Sequence, residues 1–325
     1  MTSVTVVIPA YNEGACFAAG LVSLTEYFAM HRGGGYEFRY LVVDDGSGDE
    51  TYAVARSFAN RRSNVRVFQH PTNRGLGAAL RTAIAELDTD VAIVLDADLS
   101  YAPAVGMQLL EALESENADI AIASAYMRGG AVVDVPLLRR TLSREANRVL
   151  SLAACGRYAT FTCMVRAYRV AALKQLDFSG SGMDAIAEML LIALRKGMRI
   201  AEVPATLRWS EERRNAPGRF RPMRLAAQTW MTLRLAFAHR PALWFAVPGL
   251  FPGLLPLVVA ALLILHVSTF DLAVGSAITV AVQYTSLAVF AGQLGTFFTR
   301  RLRQRSRSQS NRMNPNDYDF PKRIA

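Results

Sequence analysis

"VLDADLS", residues 94–100, sets two carboxylates one residue apart directly after a run of aliphatic side chains. The strand that it closes, Val91 to Leu95, is apolar along its whole length, the pattern of a strand buried on both faces of a parallel sheet. Asp96 and Asp98 therefore stand where that strand leaves the sheet, and ligand sites of open α/β sheets lie at such carboxyl ends. With only Ala97 between them, the two side chains can turn toward one point, where like charges repel. A divalent cation would relieve that repulsion. Hard oxygen ligands of this kind suit Mg2+ or Mn2+, which keep several waters and take substrate phosphates as further ligands. Helix capping in a strand-to-helix loop is the competing explanation.

The surrounding chain repeats the pattern. Up to about residue 125, short β-rich runs alternate with helical periodicity, which predicts βαβ units and a mostly parallel sheet. Strands are expected at Val4–Ile8, Phe38–Val43, Val65–Gln69, Val91–Leu95 and Ile120–Ser124, with helices near 15–30, 50–59, 77–87 and 103–114. The polar segments after the first four strands, "PAYNEG", "DDGSGDET", "HPTNRGLG" and "DADLSYAP", would gather at one sheet edge and line one crevice. Asp44 and Asp45 follow the second strand, where a carboxylate can accept from a ribose hydroxyl or a base N–H; an Asx-turn is the alternative. Gly75 and Gly77 lack the third glycine of a dinucleotide fingerprint, because position 80 is Leu, and no phosphate loop ending in Gly-Lys-Ser/Thr occurs.

Further on, "LLRRTLSREANRVLSLAA" places apolar and basic residues at helical spacing, either a headgroup contact or a solvated surface helix. A strand near Met164–Val170, a helix near Asp184–Lys196 and a strand at Arg199–Val203 complete the globular part.

Hydrophobic residues make up 52% of the 325, and the excess is concentrated near the end. No Asp, Glu, Lys or Arg occurs from Pro241 to Phe270 or from Leu272 to Thr299. Each stretch exceeds the roughly 20 apolar residues that cross a bilayer. The organisation expected is a globular domain at 1–220, an interfacial amphipathic helix at 221–240, a transmembrane hairpin at 241–299 and a basic tail at 300–325. The tail holds eight basic and two acidic residues, six of the nine net positive charges. By the positive-inside tendency, the tail and the N-terminal domain face the cytoplasm, and the chain is a multi-pass protein of the cytoplasmic membrane. The basic charge reads as a lipid anchor and not as a nucleic-acid surface, since aromatics are not interleaved with it. Self-association through the membrane helices is left open. Val4–Ile8 reads as a strand and not a signal peptide. Cys16, Cys155 and Cys163 lack paired or zinc-like spacing and read as reduced thiols.

Taken together, "VVIPAYNEG", "LVVDDGSGDET", "NRGLGAALRTAI", "VLDADLS" and "EMLLIALRKGMRIAEVPATLRW" resemble the successive motifs of family 2 glycosyltransferases with the GT-A fold, in particular the polyprenyl-phosphate hexosyltransferase branch. The resemblance covers about residues 4 to 220, and the hairpin more loosely. It implies an inverting, metal-dependent transfer of a hexose from a nucleotide diphosphate sugar to a membrane polyprenyl phosphate. By position, Pro9, Ala10, Tyr11 and Glu13 would line the nucleoside pocket, with Asp44, Asp45 and Gly75 beside the donor. Asp96 would face the diphosphate, and Asp98 would bind the metal with it. Glu188 would lie near the sugar or acceptor; Arg139 and Ser143 match acceptor-phosphate contacts, with Asp98, Glu188 and Arg139 forming the catalytic set.

Departures from the family pattern fall on the acceptor side. Ser100 stands where relatives carry Gln. Ala125 replaces an Arg, which Arg128 would have to supply. Thr160 to Arg166 is an altered form of Asp-x-Thr-Ser-Gly-Phe-Arg, and the late Gly-x-Ser-Lys is reduced to Gly218 and Arg219, with Arg213 upstream. Transfer to a lipid hydroxyl, with Asp184 or Glu188 as base, and a non-catalytic donor-binding scaffold are the rival readings.

Overall fold

β1 (Thr2–Ala10) is buried from Val4 onward and lies between β2 (Tyr36–Asp44) and β4 (Val91–Val94), parallel to both. The computed structural model describes residues 1–209 apart from 15, 32 and 33, together with 234, 235 and 280. Apart from those three positions, the expected interfacial helix, membrane hairpin and basic tail lie outside the described residues. Among the described residues, no helix is long and apolar enough to cross a membrane. The chain divides into units at 1–239 and 240–325; every element below belongs to the first.

β3 (Val65–Gln69) pairs parallel with β2 and forms one edge of a seven-stranded sheet. Beyond β4 come β7 (Arg166–Arg169), β5 (Ile120–Ser124) and β8 (Ile200–Pro204), so the order is β3-β2-β1-β4-β7-β5-β8. β7 alone is antiparallel to its neighbours, a feature that the sequence reading left out. It starts at the crevice edge, opposite Val94 and Ile122, so the chain preceding it, and not the chain following it, joins the crevice. A second, two-stranded parallel ribbon of β6 (Ala131–Val133) and β9 (Thr206–Arg208) was likewise not expected.

Helices α1 (Cys16–Met30), α2 (Thr51–Ala59), α3 (Leu76–Ala85) and α4 (Ala104–Ser115) connect the first five strands, as the alternation of periods predicts. α5 (Leu137–Ala153), the single turn α6 (Val170–Leu173) and α7 (Asp184–Arg195) follow. The core collects the inward residues of α1 and α4 against the sheet; Phe28 and Phe38, at 0% and 1% exposure, stack with ring centroids 4.8 Å apart. Burying such a ring is worth roughly 2–3 kcal/mol, which ties α1 firmly to β2 and sets the position of the loop preceding it.

Candidate active site

The four carboxyl-end loops do gather, and backbone hydrogen bonds extend the sheet into them. The Asp45 N–H donates to Ala10, that of His70 to Asp44 and that of Leu95 to Val7, at 2.9, 2.9 and 3.0 Å. Side chains then stitch loop to loop: Asn12 N–H donates to Ser47 Oγ, Gly48 N–H to Asn12 Oδ1, Glu13 N–H to Thr51 Oγ1 and Gly14 N–H to Asp49. Pro9 and Ala10 are buried at the end of β1, whereas Tyr11 is 46% exposed and faces outward from the stitched turn.

Asp44 and Asp45 are both buried but do different things. Asp44 accepts from the hydroxyl and the N–H of Ser47, the Asx-turn alternative. Asp45 holds the next loop: Oδ1 accepts from His70 Nδ1 at 2.7 Å and Arg74 N–H at 3.0 Å, and Oδ2 from Gly75 N–H at 2.7 Å. An ionised carboxylate has about four lone-pair positions, so one remains for a ribose hydroxyl or base N–H. Because Asp45 is acceptor-only when ionised, His70 Nδ1 must carry the proton, and Nε2 meets Thr82 Oγ1 at 2.8 Å. His70 is a site residue that sequence reasoning missed; no local pattern distinguishes it.

Gly75 sits at φ 87°, and a Cβ there would meet Ser181 O at 2.2 Å; at Gly77 it would meet Gly180 O at 2.0 Å. The glycines of this loop thus serve close approach to segment 178–184. Gly77 N–H donates to Ser181 O at 2.7 Å, and Arg81 donates to Gly180 O at 2.9 Å. Glu188 belongs to the same contact: its carboxylate accepts from Gly180 N–H at 2.7 Å and from Ser179 N–H and Oγ at 3.1 Å each. The structure brings Glu188 to that loop, where it anchors backbone; Asp184 accepts from Gly182 N–H.

Asp96 and Asp98 are half-buried in the turn after β4, with Ala97 buried between them. α1 buttresses this turn at Gly20, where a Cβ would stand 2.1 Å from Ala97 O. Asp98 Oδ1 accepts the Ser100 N–H at 2.9 Å, and Leu99 between them takes φ 53°, a backbone state that a branched residue seldom adopts. Behind Asp96 lie Tyr101 and Cys163, hydrogen-bonded to each other; burial pushes the Tyr101 hydroxyl far up and the Cys163 thiol up to about 11. Both are neutral at physiological pH, so no thiolate adds to the carboxylate pair.

The residues expected on the acceptor side are described in part. Arg208 N–H donates to Ser100 O at 2.9 Å, and the adjacent Trp209 carries the Arg139 guanidinium 4.9 Å from its ring centroid. Arg139 is thereby linked through β9 to the Asp-x-Asp turn. Ser143 lies one helical turn further along α5, and Arg128 is exposed in the loop before β6. Arg213 and Arg219 lie outside the described residues. The altered 160–166 segment is held by Asn147, whose Oδ1 accepts from Phe161 and Thr162 N–H, and by Glu202, which accepts from Ala159 and Thr160 N–H. Arg166 is fully buried, donating to Ile186 O and Phe161 O at 2.7 and 2.6 Å, with Nε lacking a partner. It fastens β7 to α7, a role nothing in the sequence announced. A cavity of about 400 Å3 lies at the opposite, amino end of the strands, but its Arg39, Arg66, Glu37, Glu86 and Asp88 pair with one another.

An open α/β sheet with an Asp-x-Asp turn at the end of a central strand, flanked by polar carboxyl-end loops and by an Arg-bearing helix, defines a GT-A-like transferase domain. Residues 5–177 match the family described as glycosyl transferase family 2, and the chain belongs to that family. It is 32% identical to polyprenol monophosphomannose synthase of Mycolicibacterium smegmatis, over 62% of this chain and 76% of that protein. It is also 32% identical to undecaprenyl-phosphate mannosyltransferase of Micrococcus luteus, over 62% and 82%. A dolichol-phosphate mannosyltransferase of Pyrococcus furiosus is 34% identical, but the match spans only 39% of that protein's length and 44% of this chain. Among solved structures, glucosyl-3-phosphoglycerate synthase from Mycobacterium tuberculosis, in complex with Mn2+, UDP and phosphoglyceric acid, superposes with a TM-score of 0.55 at 18% identity, covering 73% of this chain and 78% of that one. That likeness establishes the fold.

Proposed function

We propose that this glycosyltransferase moves a hexose, with inversion, from a nucleotide diphosphate sugar to a polyprenyl phosphate in the cytoplasmic membrane. The observation that carries the proposal is the position of Asp96 and Asp98, between a donor cradle built from loops 9–13, 44–48 and 74–75 and an acceptor side marked by Trp209 and Arg139. The names of the Mycolicibacterium and Micrococcus relatives support the acceptor class. Spans at 241–299, with the catalytic domain and tail cytoplasmic, would put a prenyl chain within the bilayer and its phosphate at the surface.

The donor set fits a divalent cation. Among the described residues, no group of three or more His, Cys, Asp or Glu gathers, so two hard carboxylates would leave the remaining coordination to water and diphosphate, as Mg2+ and Mn2+ prefer. Bound by Asp96 and Asp98, the ion would supply Lewis-acid stabilisation to the departing nucleotide diphosphate. The Ser100 N–H fixes Asp98, and the Asp45 clamp fixes the 74–75 backbone against which the donor lies.

The carboxylate geometry favours a phosphate acceptor over a hydroxyl. A phosphate monoester, with a second pKa of about 6, is already anionic at neutral pH and needs orientation rather than a base. Glu188 and Asp184 both hold backbone N–H groups of the 179–182 loop, which suits anchoring better than proton abstraction. Arg139, with Ser143 and Arg128, supplies cation and hydroxyl for the phosphate.

The test is transfer of label from a panel of UDP- and GDP-sugars to polyprenyl phosphate by the full chain in membranes. Metal-dependent label in a mild-acid-labile lipid, lost in Asp98→Ala, supports the proposal. Label in an acid-stable lipid would move the acceptor to a hydroxyl, and donor binding without transfer would leave only a scaffold.

A further inference from the structure

Of the 17 residues of α5, Asn147, Leu150 and Ala153 are buried, and Asn147 is the polar one among them, 1% exposed. Its amide fills both lone pairs of Oδ1 and both hydrogens of Nδ2, all that the group can offer. Oδ1 accepts from the N–H groups of Phe161 and Thr162 at 2.6 and 3.2 Å. Nδ2 donates to Ser143 O at 2.8 Å and to Thr162 Oγ1 at 3.0 Å. Backbone N–H groups can only donate, so they fix which way round the amide sits. The segment that it grips is fastened to three strands: Glu202 of β8 accepts from Thr160 N–H, Ser124 Oγ of β5 meets Thr160 Oγ1 at 2.7 Å, and Arg166 of β7 donates to Phe161 O. Its far end, Cys163, is hydrogen-bonded to Tyr101 behind Asp96. One side chain thus ties α5 to the piece of chain that backs the Asp-x-Asp turn.

Arg139 and Ser143 precede Asn147 at four-residue spacing, so the three form one row on the helix, half-buried at the first two positions and buried at the third. Leu150 and Ala153 hold the same side of α5 by apolar burial, which is non-directional and sets no register. A fully bonded amide does set one. Arg139 lies about 12 Å along the helix axis from Asn147. A tilt of about 5° at Asn147 therefore moves it by ~1 Å, a misplacement that can cost about 10^2 in rate. We propose that Asn147 is a positioning residue for the acceptor: its amide sets the register of α5 on segment 160–162 and so fixes where Arg139 and Ser143 stand relative to Asp96 and Asp98. This rests on the reading that Arg139 and Ser143 hold an acceptor phosphate; Asn147, buried beneath that row, acts only through the helix.

The test uses the full chain in membranes, undecaprenyl phosphate as acceptor and the sugar of the UDP and GDP panel that the unchanged chain transfers. KM for lipid and for donor, kcat and the denaturant midpoint are measured for four variants. Asn147→Asp keeps an acceptor for the two N–H groups and loses both donors; Thr162→Val removes one partner of those donors and Thr162→Ser restores it; Leu150→Ala loosens the same side of the helix without touching the amide. The expected result is a lipid KM raised about 10-fold with a lowered kcat in Asn147→Asp, beside a donor KM within about two-fold of the unchanged chain. Thr162→Val moves the lipid KM less and in the same direction, Thr162→Ser returns it, and Leu150→Ala lowers the midpoint with the lipid KM unmoved. Lipid KM following the midpoint across all four variants, or donor and lipid KM rising together, would reduce Asn147 to a structural residue and overturn the proposal. If Asn147→Asp does not fold, the Thr162 pair decides, and an equal lipid KM in Val and Ser overturns it. Transfer by the unchanged chain with kinetics unaltered in Asn147→Asp sinks the positioning role alone; no transfer to undecaprenyl phosphate by the unchanged chain sinks the underlying reading and this one with it.

Discussion

Replacing His70 separates the two hydrogen bonds of a buried imidazole. Asp45 is 3% exposed and His70 6%, and the pair meets at 2.7 Å. His70→Ala removes one of three donors from a buried carboxylate; losing a hydrogen bond to a charged group costs about 1.5–3 kcal/mol, and the vacated volume adds to it. Arg74 and Gly75 N–H remain on Asp45, so the loss stays near 3 kcal/mol rather than reaching the roughly 3–5 kcal/mol of a wholly broken buried pair. An Asn amide reaches about as far as Nδ1 and a Gln amide about as far as Nε2. His70→Asn therefore keeps the bond to Asp45 and His70→Gln keeps the one to Thr82. Since 1.4 kcal/mol is a factor of ten, His70→Gln is expected to raise the donor KM about 10–100-fold with the lipid at saturation, and His70→Asn only a few-fold. The assay pairs donor kinetics with denaturant midpoints for both variants. A Gln variant with normal donor KM beside a crippled Asn variant would refute the clamp, as would equal loss of stability in both with KM unmoved.

Three further outcomes follow from the geometry. Asp96→Asn and Asp98→Asn are each expected to lower kcat by about 10^3 or more without unfolding, because charge stabilisation at the leaving group is the largest contribution they make; near-normal activity and unchanged Mn2+ affinity in either would count against shared ligation. Gly20→Val drives a side chain into Ala97 O and is expected to cost roughly 1–3 kcal/mol, reading out as a lowered denaturant midpoint together with weakened Mn2+ binding; an unchanged metal affinity would detach α1 from the Asp turn. Burial holds the Cys163 thiol near 11 against an ordinary value of 9.0. The fold thus favours the protonated form, so this contribution is fully present below pH 9 and is lost as the pH rises toward 11, by on the order of 2–3 kcal/mol at most. Stability of Cys163→Ala should fall less over that window, and identical alkaline slopes would remove the thiol from the account.

The parts of the fold that were legible are those in which one residue type does one thing. Val65–Gln69 and Ile120–Ser124 end where the sequence places them, because Asn, His or Ala-Tyr turns bound unbroken β-rich runs. The reversal of β7 was not legible: "RAYR" pairs equally well in either direction, and only the packing of Arg166 onto α7 chooses. β6 and β9 are three residues each, too short to carry a period. At the site, the position of Asp96 and Asp98 in the turn after β4 was readable because the apolar run of that strand stops at Leu95. The hydrogen bonds of Glu188 to Ser179 and Gly180 were not readable, since a helix-borne carboxylate looks the same whether it faces a substrate or caps a neighbouring loop. Gly20 and His70 were invisible because their importance lies in what touches them.

The reversed strand also governs how the domain can be assembled as it leaves the ribosome. β7 occupies the slot between β4 and β5, yet it is made some forty residues after β5 and more than seventy after β4. Until Arg169 has emerged, β4 ends the nascent sheet with a raw hydrogen-bonding edge and β5 has neither of its partners, since β8 is made later still; such edges recruit foreign strands. Closing it needs a long loop to fold back and an arginine to be swallowed whole, a slow step by the entropy of distant contacts. Chains stalled or cleaved short of residue 166 should therefore be chaperone clients rather than stable half-domains.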